Sequence, residues 1–223
     1  MSIKIIGHRG ARGLAPENTL AGLEKGLEHH VDQLEIDVRM TKDGVAVLHH
    51  NAELEEGGTK LRIRDRTYEQ LKAGKSDLAT LAEAIAFVKR RVPIIIEVSP
   101  RNRPQRRSQS SAASSGKAGS RRISRSSHFD FPILKELHAA FPEHTMIVDE
   151  MWSGVRATWR ARRLGSKEIS LYTPILWTGF IRMVSRRGYH VYAFPLNDPA
   201  KARKWAKAGF YGAVTDFPDR FEQ

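Results

Sequence analysis

Short β-branched apolar runs alternate along this chain with longer stretches whose apolar residues recur every three or four positions. The short runs predict strands at 3–7, 33–38, 93–98, 122–126, 145–149, 168–172, 190–194 and 211–215. Helical periodicity falls at 17–30, 80–91, 129–141, 152–164, 175–187 and 198–208. In the first of these, Leu20, Leu23 and Leu27 form a stripe, and Asn18-Thr19 offers cap chemistry near its start. Asp198-Pro199 opens the last helix, which carries Ala202, Trp205 and Ala206 and closes at Gly209. Trp152 and Trp159, seven apart, are expected on a buried helix face, and Tyr189, Tyr192 and Phe194 as wall or core.

The second strand breaks the alternation. It turns at Thr41-Lys42-Asp43-Gly44 and returns as Val45–His49, an Asp-Gly hairpin. A polar excursion over 51–77, containing Gly57-Gly58, separates it from the helix led by Thr80-Leu81. With the hairpin return set aside, eight strands and interleaved helices predict an α/β fold, a (β/α)8 TIM barrel with a short hairpin insertion after the second strand. A doubly wound open sheet is the alternative that alternation alone allows. The chain reads as a single domain over 1–223, with 39–77 as the insertion. A helix is due between 98 and 122; residues 101–121 are instead rich in Ser, Arg, Ala and Gly and read as a basic, low-complexity, mobile segment.

Composition narrows the classes. Hydrophobic residues make up 40% of 223, enough for a sizeable core. No apolar run reaches the length of a membrane span, and the N-terminus enters a strand without a signal-peptide layout, so a cytoplasmic location is expected. The absence of cysteine excludes disulfides, thiolate metal sites and a cysteine nucleophile. The net charge of +12 is mostly local: residues 101–125 hold eight basic side chains and no acid, and without them +4 remains. That block reads as a solvated loop offering at most weak contact to an anionic surface. It lacks interleaved aromatics, so no specific nucleic-acid recognition is expected.

Candidate chemistry gathers where a barrel places its active groups, at the C-terminal ends of strands. His8 and Arg9 end the first strand, and Glu35 and Asp37, two apart, share one side of the second. Glu97 ends the run Ile94-Ile95-Ile96, where a carboxylate is costly unless paired or bound to a cation. Acids from different strands make an oxygen-rich site for a hard divalent ion, Mg2+ or Ca2+, with Mn2+ also suitable. Imidazoles on either side of the acids complete a kit for attack on a phosphate ester. Thr215-Asp216 reads as a cap of the last turn.

Taken together, His8-Arg9-Gly10, Pro16-Glu17-Asn18-Thr19, Glu35-x-Asp37, Thr41-x-Asp43-Gly44 and His50 resemble, in order and spacing, the N-terminal signature of the glycerophosphodiester phosphodiesterases. Weaker echoes continue at Thr80-Leu81-x-Glu83, Ile96-Glu97, Ser126-x-His128-Phe129-Asp130 and Thr215-Asp216-x-Pro218, so the likeness spans most of the chain. The resemblance implies a (β/α)8 barrel that hydrolyses a glycerophosphodiester to glycerol 3-phosphate and an alcohol with a bound divalent cation. It implies His8 and His50 as the acid/base pair, Glu35, Asp37 and Glu97 as metal ligands, and Arg9 as the phosphate contact. The family usually has Asp where this chain has Asn51, Lys at Ser99, and Trp near Phe194. Asn51, Ser99 and the unusual 101–121 segment motivate one alternative, a catalytically impaired homologue that binds a phosphorylated ligand; the basic block 101–125 motivates another, a basic protein that binds nucleic acid or an anionic membrane.

Overall fold

The computed structural model describes residues 3–98 and 123–222. Eight parallel strands close on themselves: β1 (Lys4–Gly7), β2 (Gln33–Met40), β6 (Ile94–Val98), β7 (Ile123–His128), β8 (Thr145–Glu150), β9 (Glu168–Tyr172), β10 (His190–Phe194) and β11 (Gly212–Thr215). β1 pairs with β11 along its whole length and with β2 through Ile6↔Gln33 and Gly7↔Leu34, which seals the barrel. The helices that follow are α1 (Leu20–Glu28), α3 (Leu81–Val88), α4 (Phe131–Ala140), α5 (Gly154–Arg163), α6 (Thr178–Ser185) and α7 (Pro199–Ala206). The expected TIM barrel is therefore the fold. The low-complexity segment 101–121 and Ser99 lie outside the described residues.

The hairpin forms as expected. β3 (Ala46–Leu48) runs antiparallel to β2, and Gly44 takes φ 81°, a conformation that an L side chain resists. The excursion that follows carries more structure than its polarity suggests. It contains a second hairpin, β4 (Glu53–Glu56) with β5 (Thr59–Arg62), and the helix α2 (Tyr68–Gly74). Leu54, Ile63, Leu71 and Leu78 close with Val47 into a small core of their own. Single apolar residues spaced through a polar stretch suffice when one side of each element faces inward.

Two larger cores lie between the barrel wall and its helices, one around β8 to β11 and one around β2, β6, α1 and α3. Inside the barrel, Ile6, Ile95, Ile147, Tyr192 and Val214 form a plug. Below the plug, Arg125 donates to Glu168 (3.1 Å) and to the Tyr192 hydroxyl (2.6 Å), while His190 sits 2.7 Å from Glu168. Tyr189 and Tyr192 are buried, as expected. Trp152 and Trp159 are not: they are 79% and 51% exposed. Trp152 precedes the Ser153 N-cap of α5, so helical spacing does not govern it, and within α5 the small residues Ala157 and Ala161 take the inner side and leave Trp159 outward.

Candidate active site

The loop after β1 is built for close approach. Arg9, Gly10 and Asn18 all have positive φ (51°, 90° and 55°). For the two non-glycine residues this costs about 1–2 kcal/mol each. A Cβ on Gly10 would stand 2.5 Å from the carbonyl carbon of Gly22, so glycine there lets the loop pack against α1. Thr19 caps α1, its hydroxyl accepting from the Gly22 amide at 3.1 Å. Asn18 does something else: its amide side chain donates to Asp37 Oδ2 (2.9 Å), and its carbonyl oxygen accepts from the Asp37 backbone N–H (3.0 Å). The expected cap pair thus divides its work, with Thr19 holding the helix and Asn18 holding an acid.

Glu35, Asp37 and Glu97 converge, each offering an oxygen that lies within 4.8 Å of the others. The strand register explains it: Asp37 pairs with Glu97 across β2 and β6, and Glu35 precedes Asp37 by two on the same face. Burial first, and the neighbouring acids second, hold Glu35 and Glu97 well above the usual carboxylate range. Asp149 joins them from β8, raised to about 7 by burial foremost and by Asp37 in addition. Strand-end spacing does not single out Asp149, yet as an acid inside an apolar strand it carries the same signal in the sequence as Glu97. Glu35 Oε1 is buried with no hydrogen-bond partner. An orphaned carboxylate oxygen among crowded acids, in an all-oxygen donor set, fits a hard divalent cation.

Arg9 is the cation present. Its backbone N–H donates to Glu35 Oε2 (2.9 Å), its Nη1 donates to both Glu17 oxygens (3.0 and 3.1 Å), and its Nε lies 3.1 Å from Asp37 Oδ2. Burial alone would lower its pKa, but Asp37, Glu17 and Glu35 more than offset this.

His8 is held from behind. Its Nδ1 lies 2.6 Å from Asp216 Oδ1. Asp216 also accepts from Arg12 (Nη2, 3.3 Å) and Asn197 (Nδ2, 3.0 Å), and Arg12 Nε lies 2.6 Å from Oδ1. Burial works to raise its pKa, yet the hydrogen bonds from His8, Asn197 and Arg12 keep it well below the ordinary carboxylate value. An ionised Asp216 can only accept, so the proton between them belongs to Nδ1 of His8, and Nε2 carries the lone pair. Burial, outweighing Asp216, lowers the His8 pKa from 6.5. Asp216 is therefore no simple cap of the last turn. The sequence showed a carboxylate at a strand end; its partner, 208 positions away, was not visible.

His50 stands just past β3, half-buried. The His49 amide donates to the Asp37 carbonyl (3.1 Å), fastening this segment to the acid strand. The His50 carbonyl accepts from Arg39 Nε (2.9 Å), and His50 Nδ1 lies 3.0 Å from Asn51 Oδ1. His49 Nδ1 turns instead to the Asn51 carbonyl (3.0 Å).

A family model described as the glycerophosphoryl diester phosphodiesterase family matches residues 8–220. The chain belongs to that family. A glycerophosphodiester phosphodiesterase of Bacillus altitudinis is 38% identical over 96 residues, which cover 43% of this chain but only 38% of that relative. Among solved structures, the glycerophosphodiester phosphodiesterase of Thermotoga maritima superposes with a TM-score of 0.82 at 25% identity, over 99% of this chain and 97% of its own. An Oleispira antarctica phosphodiesterase, solved with the product sn-glycerol-3-phosphate, gives 0.84 at 23% identity, over 98% and 94%. The family's barrel is thus the barrel of this chain, and no helix among the described residues is long and apolar enough to cross a membrane.

Proposed function

We propose that the protein hydrolyses small glycerophosphodiesters to glycerol 3-phosphate and an alcohol, using Glu35, Asp37 and Glu97 as cation ligands and His8 and His50 as the acid–base pair. The observation that carries this reading is the convergence of the three acids beside a histidine whose tautomer is fixed by Asp216. Family membership and the product seen in the Oleispira relative support it. A divalent cation held by the three acids, Mg2+, Ca2+ or Mn2+, would offset the anionic charge that makes a phosphodiester resist attack.

The chain's own residues supply the rest. His8, neutral at pH 7 with its Nε2 lone pair available, suits the general base that takes a proton from the attacking hydroxyl or water. His50, with Nδ1 engaged by Asn51 Oδ1, presents Nε2 for protonating the departing alkoxide. Arg9, partly buried and permanently charged, contributes a fork suited to phosphate oxygens while restraining Asp37. One observation favours a second reading, a homologue that binds a phosphorylated ligand without fast turnover: the group behind His50 is a neutral amide.

Release of glycerol 3-phosphate from a panel of glycerophosphodiesters, with Mg2+, Ca2+, Mn2+ or chelator, tests the proposal. Metal-dependent release that falls by about 10²–10⁴ in His8→Ala and His50→Ala, both still folded by circular dichroism, is the expected result. Tight, metal-dependent ligand binding without product would select the second reading.

A further inference from the structure

We propose that the outer face formed by α5 and α6, with Trp152 and Trp177 at its rim, is a docking surface for an anionic phospholipid bilayer. Three large apolar side chains stand far out of the protein here: Trp152 is 79% exposed, Val155 70% and Trp177 64%. Isolated exposed apolar residues are ordinary, but a group of them on one face calls for a partner.

The rings are held out by structure. The backbone N–H groups of Met151 and Trp152 both donate to Glu150 Oε1 at 3.0 Å, and Arg156 locks the same carboxylate from the first turn of α5. Trp177 is the N-cap of α6. Its ring covers Gly179, where a Cβ would stand 1.9 Å from ring carbon Cζ3; only glycine leaves the ring its place. The two helices touch at their starts, since a Cβ on Gly154 would meet the Phe180 ring at 2.5 Å. Trp152 lies two residues beyond β8 and Trp177 five residues beyond β9, so both occupy the barrel end that holds the acids.

Charge selects the partner. From 150 to 187 the chain carries eight basic residues and two acids: Glu150, buried and paired with Arg156 and Arg160, and Glu168. Glu168 is buried at the opposite end of the barrel, 3.1 Å from Arg125. The exposed face of α5 and α6 therefore shows arginines and no carboxylate, and Arg163 lies 5.0 Å over the Trp159 ring. Indole rings and arginines interleaved with aliphatic Val155 suit the headgroup layer of a bilayer: rings and Val155 enter the acyl boundary while guanidinium groups meet lipid phosphate. Nucleic acid would match the charge but gains little from an exposed valine.

The test uses vesicles of phosphatidylcholine alone and of phosphatidylcholine with phosphatidylglycerol, read by co-sedimentation and by quenching of tryptophan fluorescence with brominated lipid. Binding to the anionic vesicles, weakening as salt rises, with quenched fluorescence, is expected. The double variant Trp152→Ser/Trp177→Ser should bind at least about tenfold more weakly and lose the quenching, while its thermal melting stays unchanged. Anionic vesicle binding that is unaltered in the double variant, or that occurs without quenching, overturns the proposal. So does tighter binding to a duplex oligonucleotide than to vesicles, or a dimer in light scattering that the double variant dissociates.

Discussion

His8 and His50 face similar tasks and are supported in different ways. His8, its side chain 13% exposed, rests on a carboxylate that also holds Arg12 and Asn197. His50 is half-exposed and rests on the side-chain carbonyl of the residue next to it. Both supports set an oxygen against Nδ1, but only the ionised carboxylate is bound to accept, since an amide can turn and donate. Only one supplies charge. A hydrogen bond to an ionised acceptor is worth roughly twice a neutral one. Orientation and charge, usually delivered together by an aspartate, are separated in this chain: His50 keeps the first without the second.

Breaking the charged support has the largest expected effect. Asp216→Asn leaves the shape of the network but allows the side chain to donate, which lets the wrong His8 tautomer form. We expect kcat to fall by about 10²–10⁴, measured by glycerol 3-phosphate release. Asp216 raises the His8 pKa against burial, so its loss also moves the acidic limb of kcat/KM to lower pH. An unshifted limb with full activity would refute the base assignment. Stability responds as well. The depressed Asp216 pKa contributes stability that is present above its unfolded value of 3.8 and lost as pH falls through its folded value. The variant should therefore show a flatter acid-unfolding profile.

Next in size is the support of an acid. Asn18→Ala removes both hydrogen bonds to Asp37, and Mn2+ affinity, followed by calorimetry, is expected to fall by about 10–100-fold. Unchanged affinity would exclude Asp37 as an oriented ligand. The smallest effect sharpens the contrast between the histidines. Asn51→Asp supplies the missing charge behind His50, and the alkaline limb of the rate profile is expected to move to higher pH, with the plateau changing less than about tenfold. A profile identical to that of the parent would show that His50 does not act as the acid.

The same contrast explains what was legible in the sequence. Strand-end positions report geometry directly, because a barrel brings the C-terminal ends of its strands together; His8, Glu35, Asp37 and Glu97 could be placed on that ground alone. Asn51 was legible because it is the neighbour of His50. Asp216 and Asn18 act across the fold, and single-sequence spacing has no term for such pairs. The opposite error concerns Trp152 and Trp159: Trp152 lies before the helix begins, and helical spacing alone does not say which face Trp159 takes. The small core beneath the insertion was hidden because its members are scattered singly through polar residues.

The Asp216–His8 contact joins the last strand of the barrel to the first. During synthesis the ribosome releases β1 long before β11, at roughly 5–20 residues per second. A nascent chain holding both histidines, Arg9 and all three clustered acids still lacks the carboxylate that sets the His8 tautomer. Under the proposed chemistry, emergence of the final strand switches the molecule on, so an unfinished barrel is inert toward cellular phosphodiesters.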